Sequence, residues 1–134
     1  MGKESGIGMT VTVDDSSGTG RAITNDITNI QFTTPRGVQD VTGLDKSAIE
    51  RILLLADGTV TITGVFNDAA NLSHDVFKSV PTTSVSRTVV IVHSGQTMTM
   101  EILFTDYSLN RGTDGALTWT ATGSLANGTA PTWS

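Results

Sequence analysis

The sequence predicts a mostly β protein with one helix and a long central connection, and three observations carry that prediction. Apolar and polar residues alternate with period two along successive segments, the mark of half-buried strands. Threonine fills most of the polar positions; being β-branched, it favours strands while giving each a polar face. Turn dipeptides punctuate these runs at Asp57-Gly58, Ser94-Gly95, Asp114-Gly115 and Asn127-Gly128.

In chain order, Met9, Val11 and Val13 alternate with Thr10 and Thr12 in a first strand, and Ile30 and Phe32 alternate with Gln31 and Thr33 in the next. Residues 36–56 form the longest connection between strands, and a long ordered connection in a small domain is usually functional. Within it, Ala48, Ile49, Ile52 and Leu53 share a helical face, and Ser47 and Glu50 have capping-box spacing, so a short helix is expected there. Val60 and Ile62 alternate with Thr59, Thr61 and Thr63. A helix follows over about residues 69–80, with Leu72, Val76, Phe77 and Val80 on one face, Asp68 or Asn71 at its start and Pro81 as its stop. From Arg87 to Leu125 three strands run as a meander: Val89–Val92, then Met98, Met100, Ile102 and Phe104 between polar residues, then Leu117, Trp119 and Ala121 between threonines. Tyr107 to Gly115 reads as a polar connection. Residues 1–8 and 126–134 read as flexible arms rich in Gly, Ser, Thr and Asn, and Trp133 is expected to pack on a neighbour or fold back on the core.

A chain of 134 residues fits a single domain over 1–134, large enough to fold without staples. It has no cysteine, hence no disulfide framework and no thiolate chemistry. The N-terminus has no apolar run of the secretory kind, and the longest unbroken apolar stretch, Ile52 to Ala56, is far too short to cross a membrane, so a soluble, unanchored protein is expected. The net charge of -5 and the scattering of eight basic residues argue against a surface that binds nucleic acid by neutralising phosphates. Charged residues make up 16% of the chain, below the roughly 25% of an ordinary soluble domain. Such a surface suits sheets that pack against neighbours.

No active site emerges. Ser73-His74-Asp75 has the letters of a hydrolase triad, but consecutive helical residues point about 100° apart and do not converge. His93 has no second histidine near it for a metal site. Gly18-Thr19-Gly20 lacks the third glycine and the βαβ context of a dinucleotide fingerprint. Asp14 and Asp15 beside Ser16 and Ser17 lack the acidic ladder of a calcium loop and suit a turn better. No spaced carboxylate pair stands out for acid–base work. Catalytic, cofactor-binding and metal-ligating residues are therefore all expected to be absent.

The order of elements, with two phrases, resembles the major tail tube proteins of long-tailed bacteriophages. GVQDVTGLDKSAIERILLLADGTVTITGVFNDA (Gly37 to Ala69) is similar to their loop, strand and start of the helix. TDYSLNRGTDGALTWTATGSLANGTAPTW (Thr105 to Trp133) is similar to their closing hairpin and small-residue tail. The resemblance implies a β-sandwich or partly closed barrel of antiparallel strands flanked by one helix. It implies a non-enzymatic virion protein, made in the bacterial cytoplasm, that assembles as hexameric rings stacked into a tube. Inner strands would join into one barrel through which DNA passes unbound, with tape measure, tail terminator and baseplate proteins as partners. One departure stands out. The run Ile52-Leu53-Leu54-Leu55 is more apolar than a solvent-facing loop should be, which favours a loop covered by another subunit.

On that basis Asp40, Leu44, Ile49, Ile52 and Trp133 are the expected contacts between subunits or rings, and Asp14, Asp15, Asp57, Asp106 and Asp114 are candidates for an acidic lumen. The competing reading is a carbohydrate- or cell-surface-binding β-sandwich. Sugar sites display exposed aromatic residues, whereas aromatics are 5% of this chain and Trp119 sits at an inward position.

Overall fold

The computed structural model describes residues 2–134; Met1, the first residue of the expected N-terminal arm, lies outside them. Its strands are β1 (Thr10–Asp14), β2 (Gly20–Ala22), β3 (Ile27–Thr33), β4 (Arg36–Asp40), β5 (Arg51–Ala56), β6 (Thr59–Val65), β7 (Arg87–His93), β8 (Gln96–Arg111), β9 (Leu117–Leu125) and β10 (Thr132–Trp133). One short helix, α1 (Ser73–Phe77), follows β6. An eight-stranded sheet runs β2-β1-β7-β8-β9-β6-β3, with β10 added beside β8, and β4 and β5 form a separate two-stranded ribbon. Every pairing is antiparallel.

The sheet curls back on itself. Val11 N–H donates to Thr24 Oγ1 at 2.9 Å, and Ile23 N–H donates to Val11 C=O at 3.2 Å, which brings the approach to β3 against β1. No ladder joins β1 to β3, so the barrel stays partly open. Its interior is one apolar core, in which Val13, Ile23, Ile62, Val89, Ile102 and Trp119 are fully buried. Burial of each such side chain contributes about 1.5–3 kcal/mol. The β7–β8–β9 meander is as the sequence predicts, and Ser94 and Gly95, both at positive φ, make the tight turn between β7 and β8.

Four sequence expectations are corrected. First, residues 36–56 contain no helix: β4 and β5 pair as a hairpin, with Val38 opposite Leu53 and Gln39 opposite Ile52. The helical spacing of Ala48, Ile49 and Ile52 loses to the unbroken apolar run Ile52 to Leu55, which reads as well as a strand and finds a ladder partner in β4. Second, α1 covers five residues rather than twelve. Its N-cap is Leu72, with no side-chain cap of its own, and neither Asp68 nor Asn71 fills that position. Instead the distant Asp26 carboxylate accepts from Ser73 N–H at 3.0 Å. Third, Tyr107 to Arg111 is not a connection but the end of β8. A bulge between Phe104 and Asp106 shifts the inward phase, so Tyr107 follows Phe104 into the interior. Fourth, the C-terminal segment is tied down at its end, where β10 pairs Thr132 with Thr99 and Trp133 with Met98.

α1 packs by aromatic contact. Phe77 lies 5.1 Å from Phe104, 5.6 Å from Tyr107 and 5.3 Å from Trp119, ring centre to ring centre. Trp119 Nε1–H donates to Val65 C=O at 2.8 Å, so this core tryptophan has no unmet donor.

Candidate functional site

Two surfaces stand out, and neither is a cleft. One is the β4–β5 hairpin. It leaves the sheet between the end of β3 and the start of β6, and its base is tied by Asp57 N–H donating to Pro35 C=O at 2.8 Å. Val38, Val41, Leu44, Ile49, Ile52, Leu53, Leu54 and Leu55 are all exposed, Leu55 at 90%. Successive strand residues face opposite sides, so Leu53 and Leu55 are bare on one face and Ile52 and Leu54 on the other. Arg36 Nε donates to Leu54 C=O at 2.9 Å, which fixes the ribbon near its base. Near the tip, Asp40 accepts from Thr42 Oγ1 at 2.6 Å and from Thr42 N–H at 2.9 Å, while Thr42 Oγ1 accepts from Glu50 N–H at 2.8 Å. The Thr42 bonds hold the Asp40 carboxyl below its ordinary pKa. A groove of about 960 Å³ opens between the ribbon and the C-terminal segment, lined by Arg36, Leu53 to Ala56, Ala130 and Pro131.

The structure thus brings Asp40, Leu44, Ile49 and Ile52 together on one projecting element. Trp133 joins them only by neighbourhood: it is 55% exposed, lies 6.0 Å from Phe32 of β3, and sits just beyond Pro131 of the groove. Leu53, Leu54 and Leu55 were not among the expected contacts, although the apolar run that contains them is plain in the sequence.

The second surface is the outer wall of β8–β9–β6–β3. Three cross-strand rows define it: Ser108–Thr120–Thr63–Asn29, Asp106–Thr122–Thr61–Gln31 and Leu103–Ser124–Thr59–Thr33. Their inward-pointing neighbours, including Trp119, Ala121, Val60 and Ile62, are core residues. This wall ends in two free edges. Among the described residues, β3 has no partner beyond β6, and β8 beyond Ile102 has none on the side opposite β9.

The five aspartates are not gathered. Asp14 ends β1, and Asp15 organises the β1–β2 turn, its Oδ1 accepting from Ser17 N–H and Thr19 N–H, both at 3.0 Å, and its Oδ2 from Arg21 Nε at 3.0 Å. The Thr19 and Ser17 bonds hold the Asp15 carboxyl far below the usual carboxylate range. Asp57 accepts from Gly58 N–H at the start of β6, whereas Asp114 sits in the β8–β9 turn at the other end of the β6–β9 ladder. Only Asp106 lies within the outer wall.

The triad letters stay apart in space. Ser73 is buried, His74 Nδ1 is 3.1 Å from the Tyr107 hydroxyl, and Asp75 pairs with Lys78 at 2.6 Å. Sequence reasoning also missed Arg87, a buried guanidinium whose Nη1 donates to Val76 C=O at 2.8 Å and to Asp14 C=O at 3.0 Å, and whose Nη2 donates to Ser79 Oγ at 2.9 Å. Burial pushes its pKa down, opposed by Asp15 and Asp14.

Compared with solved structures, the whole chain superposes on a chain in the tail of an empty gene transfer agent particle of C6 symmetry, with a TM-score of 0.74 over 98% of this chain and 99% of that one. The fold is that of a gene transfer agent tail chain. A chain in the virion of a native gene transfer agent particle matches at a TM-score of 0.70 over the same shares, and sequence identity to each is 16%. No protein-family model and no curated protein matches the sequence. At that identity the likeness concerns the fold, which is mostly β, antiparallel and sandwich-like, with one α-helix among the described residues.

Proposed function

We propose that this protein is the structural subunit of a phage-type tail tube, placed in the virion as stacked hexameric rings around a channel for DNA. The observation that carries the proposal is the whole-chain fold match to a tail chain in a particle of C6 symmetry. The free edges agree with it. β8, β9, β6 and β3 alternate in direction, and four is an even number. Rotation about an axis near the strand direction therefore sets β8 of one copy antiparallel to β3 of the next, and closing the ring removes both edges. Six copies of four strands at about 4.8 Å spacing enclose a backbone cylinder about 37 Å across before tilt widens it, room enough for a duplex. The exposed hairpin then reaches past the ring. Its paired strands, five and six residues long, at about 3.3 Å per residue extend roughly 20 Å before the tip, with Leu44, Ile49 and Ile52 carried to the adjacent ring. Trp133 lies at the hairpin's base, where subunits of successive rings approach.

The partners follow from the same reading: further copies of this chain, then tape measure, terminator and baseplate proteins at the ends. An enzyme would need converging polar groups, and the Ser73, His74 and Asp75 side chains are each engaged elsewhere or buried. The test is direct. Concentrated protein is followed by size exclusion and negative-stain electron microscopy, and hollow tubes of uniform width are expected. Protein that stays monomeric at every concentration, even with tail-tip proteins to seed it, would sink the reading.

A further inference from the structure

We infer that the outer wall passes a linear polyanion such as duplex DNA because its surface carries almost no charge and no cation, and not because it is acidic. The inference rests on the tube reading, in which this wall faces the channel.

Three observations carry it. The rows across β8, β9, β6 and β3 are filled mainly by threonine and serine, and Asp106 is their single charge. No lysine or arginine belongs to them. Adhesion to DNA is dominated by cations that neutralise phosphates and release counterions, so a wall without them lacks the main attractive term. Hydroxyl groups can also donate to phosphate. Here, however, several are turned onto the protein: Thr33 Oγ1 meets Thr59 Oγ1 at 2.7 Å, Ser108 Oγ donates to Thr120 C=O at 3.4 Å, and beside the rows Thr28 Oγ1 donates to Thr63 C=O at 3.2 Å. A phosphate would compete with an existing bond for the donating proton of each, and the neutral hydroxyl groups left over release no counterions.

Repulsion is the smaller effect. One Asp106 per subunit gives a single ring of carboxylates, and at physiological salt its field is screened within about 8 Å. The remaining aspartates are spent elsewhere: Asp15 on the β1–β2 turn, Asp57 on the start of β6, and Asp114 on the β8–β9 turn. All the other acidic side chains of the chain lie outside these rows, and the wall is close to uncharged.

The experiment compares tubes of the wild type, of Asp106→Asn and of Gln31→Lys, with Thr61→Lys as a second cationic variant should Gln31→Lys fail to assemble. Each is first imaged by negative stain, then mixed with a short fluorescent DNA duplex and pelleted. Wild-type and Asp106→Asn tubes are expected to retain equally little duplex. The lysine tubes are expected to retain it, with retention falling roughly tenfold or more between 50 and 200 mM salt. Retention by Asp106→Asn tubes but not by wild type would assign the effect to charge and overturn the inference. Lysine tubes that retain no duplex would show that this wall does not face the channel, which overturns it as well. Absence of hollow tubes from the wild type is a separate result, and it fails the tube reading itself.

Discussion

At the scale of single residues, stability rests on side chains that tie distant segments together, and these were the least legible in the sequence. Arg87 is the clearest. Its guanidinium bonds the carbonyls of Asp14 and Val76 and the hydroxyl of Ser79, so one buried cation joins β1, α1 and the turn after α1. Arg87→Ala leaves those carbonyls buried without donors and should cost about 3 kcal/mol in urea denaturation of the unassembled protein. A loss under about 0.5 kcal/mol, the range of a surface substitution, would show that the carbonyls find other partners. Gly64 is a second such point. A Cβ there would collide with the Asp26 backbone carbonyl and come within 2.8 Å of the Trp119 ring. Gly64→Ala should destabilise by about 3 kcal/mol, or abolish folding, because the obstacle is backbone. Asp15 acts through charge. Its folded pKa is depressed, so its stabilisation is present above the ordinary carboxylate range and lost as pH falls through the folded value. The stability gap between wild type and Asp15→Ala should thus persist at pH 4 and close only in stronger acid. A gap that has vanished by pH 4 would contradict the turn geometry. In sequence, Asp15 was readable as a turn residue because its partners lie within six positions. Arg87 and Asp26 were not, since their partners lie up to 73 and 47 positions away.

Elements divide by how far their pattern depends on the rest of the chain. Strands with one face on the core announce themselves by alternation, as β1, β3, β6, β9 and the first half of β8 do, whereas β7 shows as the unbroken apolar run Val89 to Val92. The second half of β8 was lost because the bulge after Phe104 moves the inward residues from even to odd positions. α1 was overextended: apolar spacing from Leu72 to Val80 fits a helix, yet only Ser73–Phe77 is helical, and Leu72 and Val80 are only half-buried. The hairpin was misread as a helix since nothing within the chain covers it. Its apolar run is bare in the single chain, as the proposed contact with another subunit requires. Replacing Leu53 and Leu55 together with serine should leave monomer stability within about 0.5 kcal/mol, because both are exposed in the free chain. Tube formation should be lost. Deleting Gly43 to Leu53 should do the same, and tubes that form at the normal rate from either variant would remove the hairpin from the assembly.

For the whole molecule the decisive quantity is the number of unpaired edges. A single copy carries two on the wall, on β3 and on β8 beyond Ile102, besides those of β2, β10 and the ribbon, and free edges on a charge-poor sheet invite uncontrolled pairing. A closed ring resolves this only if one copy's β8 edge meets the next copy's β3 edge, a heterologous contact that repeats until the rotation closes. The chain has no cysteine, which makes the contact testable without background. One cysteine is placed on β8, at Asp106 or Ser108, and one on β3, at Asn29, Gln31 or Thr33, positions that face the same side of the wall. Several pairs are needed because strand tilt offsets the rows between neighbours. Oxidised tubes of a matching pair should run on a non-reducing denaturing gel as a ladder from monomer to hexamer, collapsing to monomer on reduction. Single-cysteine variants should give none. Within one chain the two edges are separated by β9 and β6, so an internal disulfide cannot imitate the ladder. Well-formed tubes in which no pair cross-links would mean that the rings close through other surfaces, and the four-strand wall would then not be the lining of the tube.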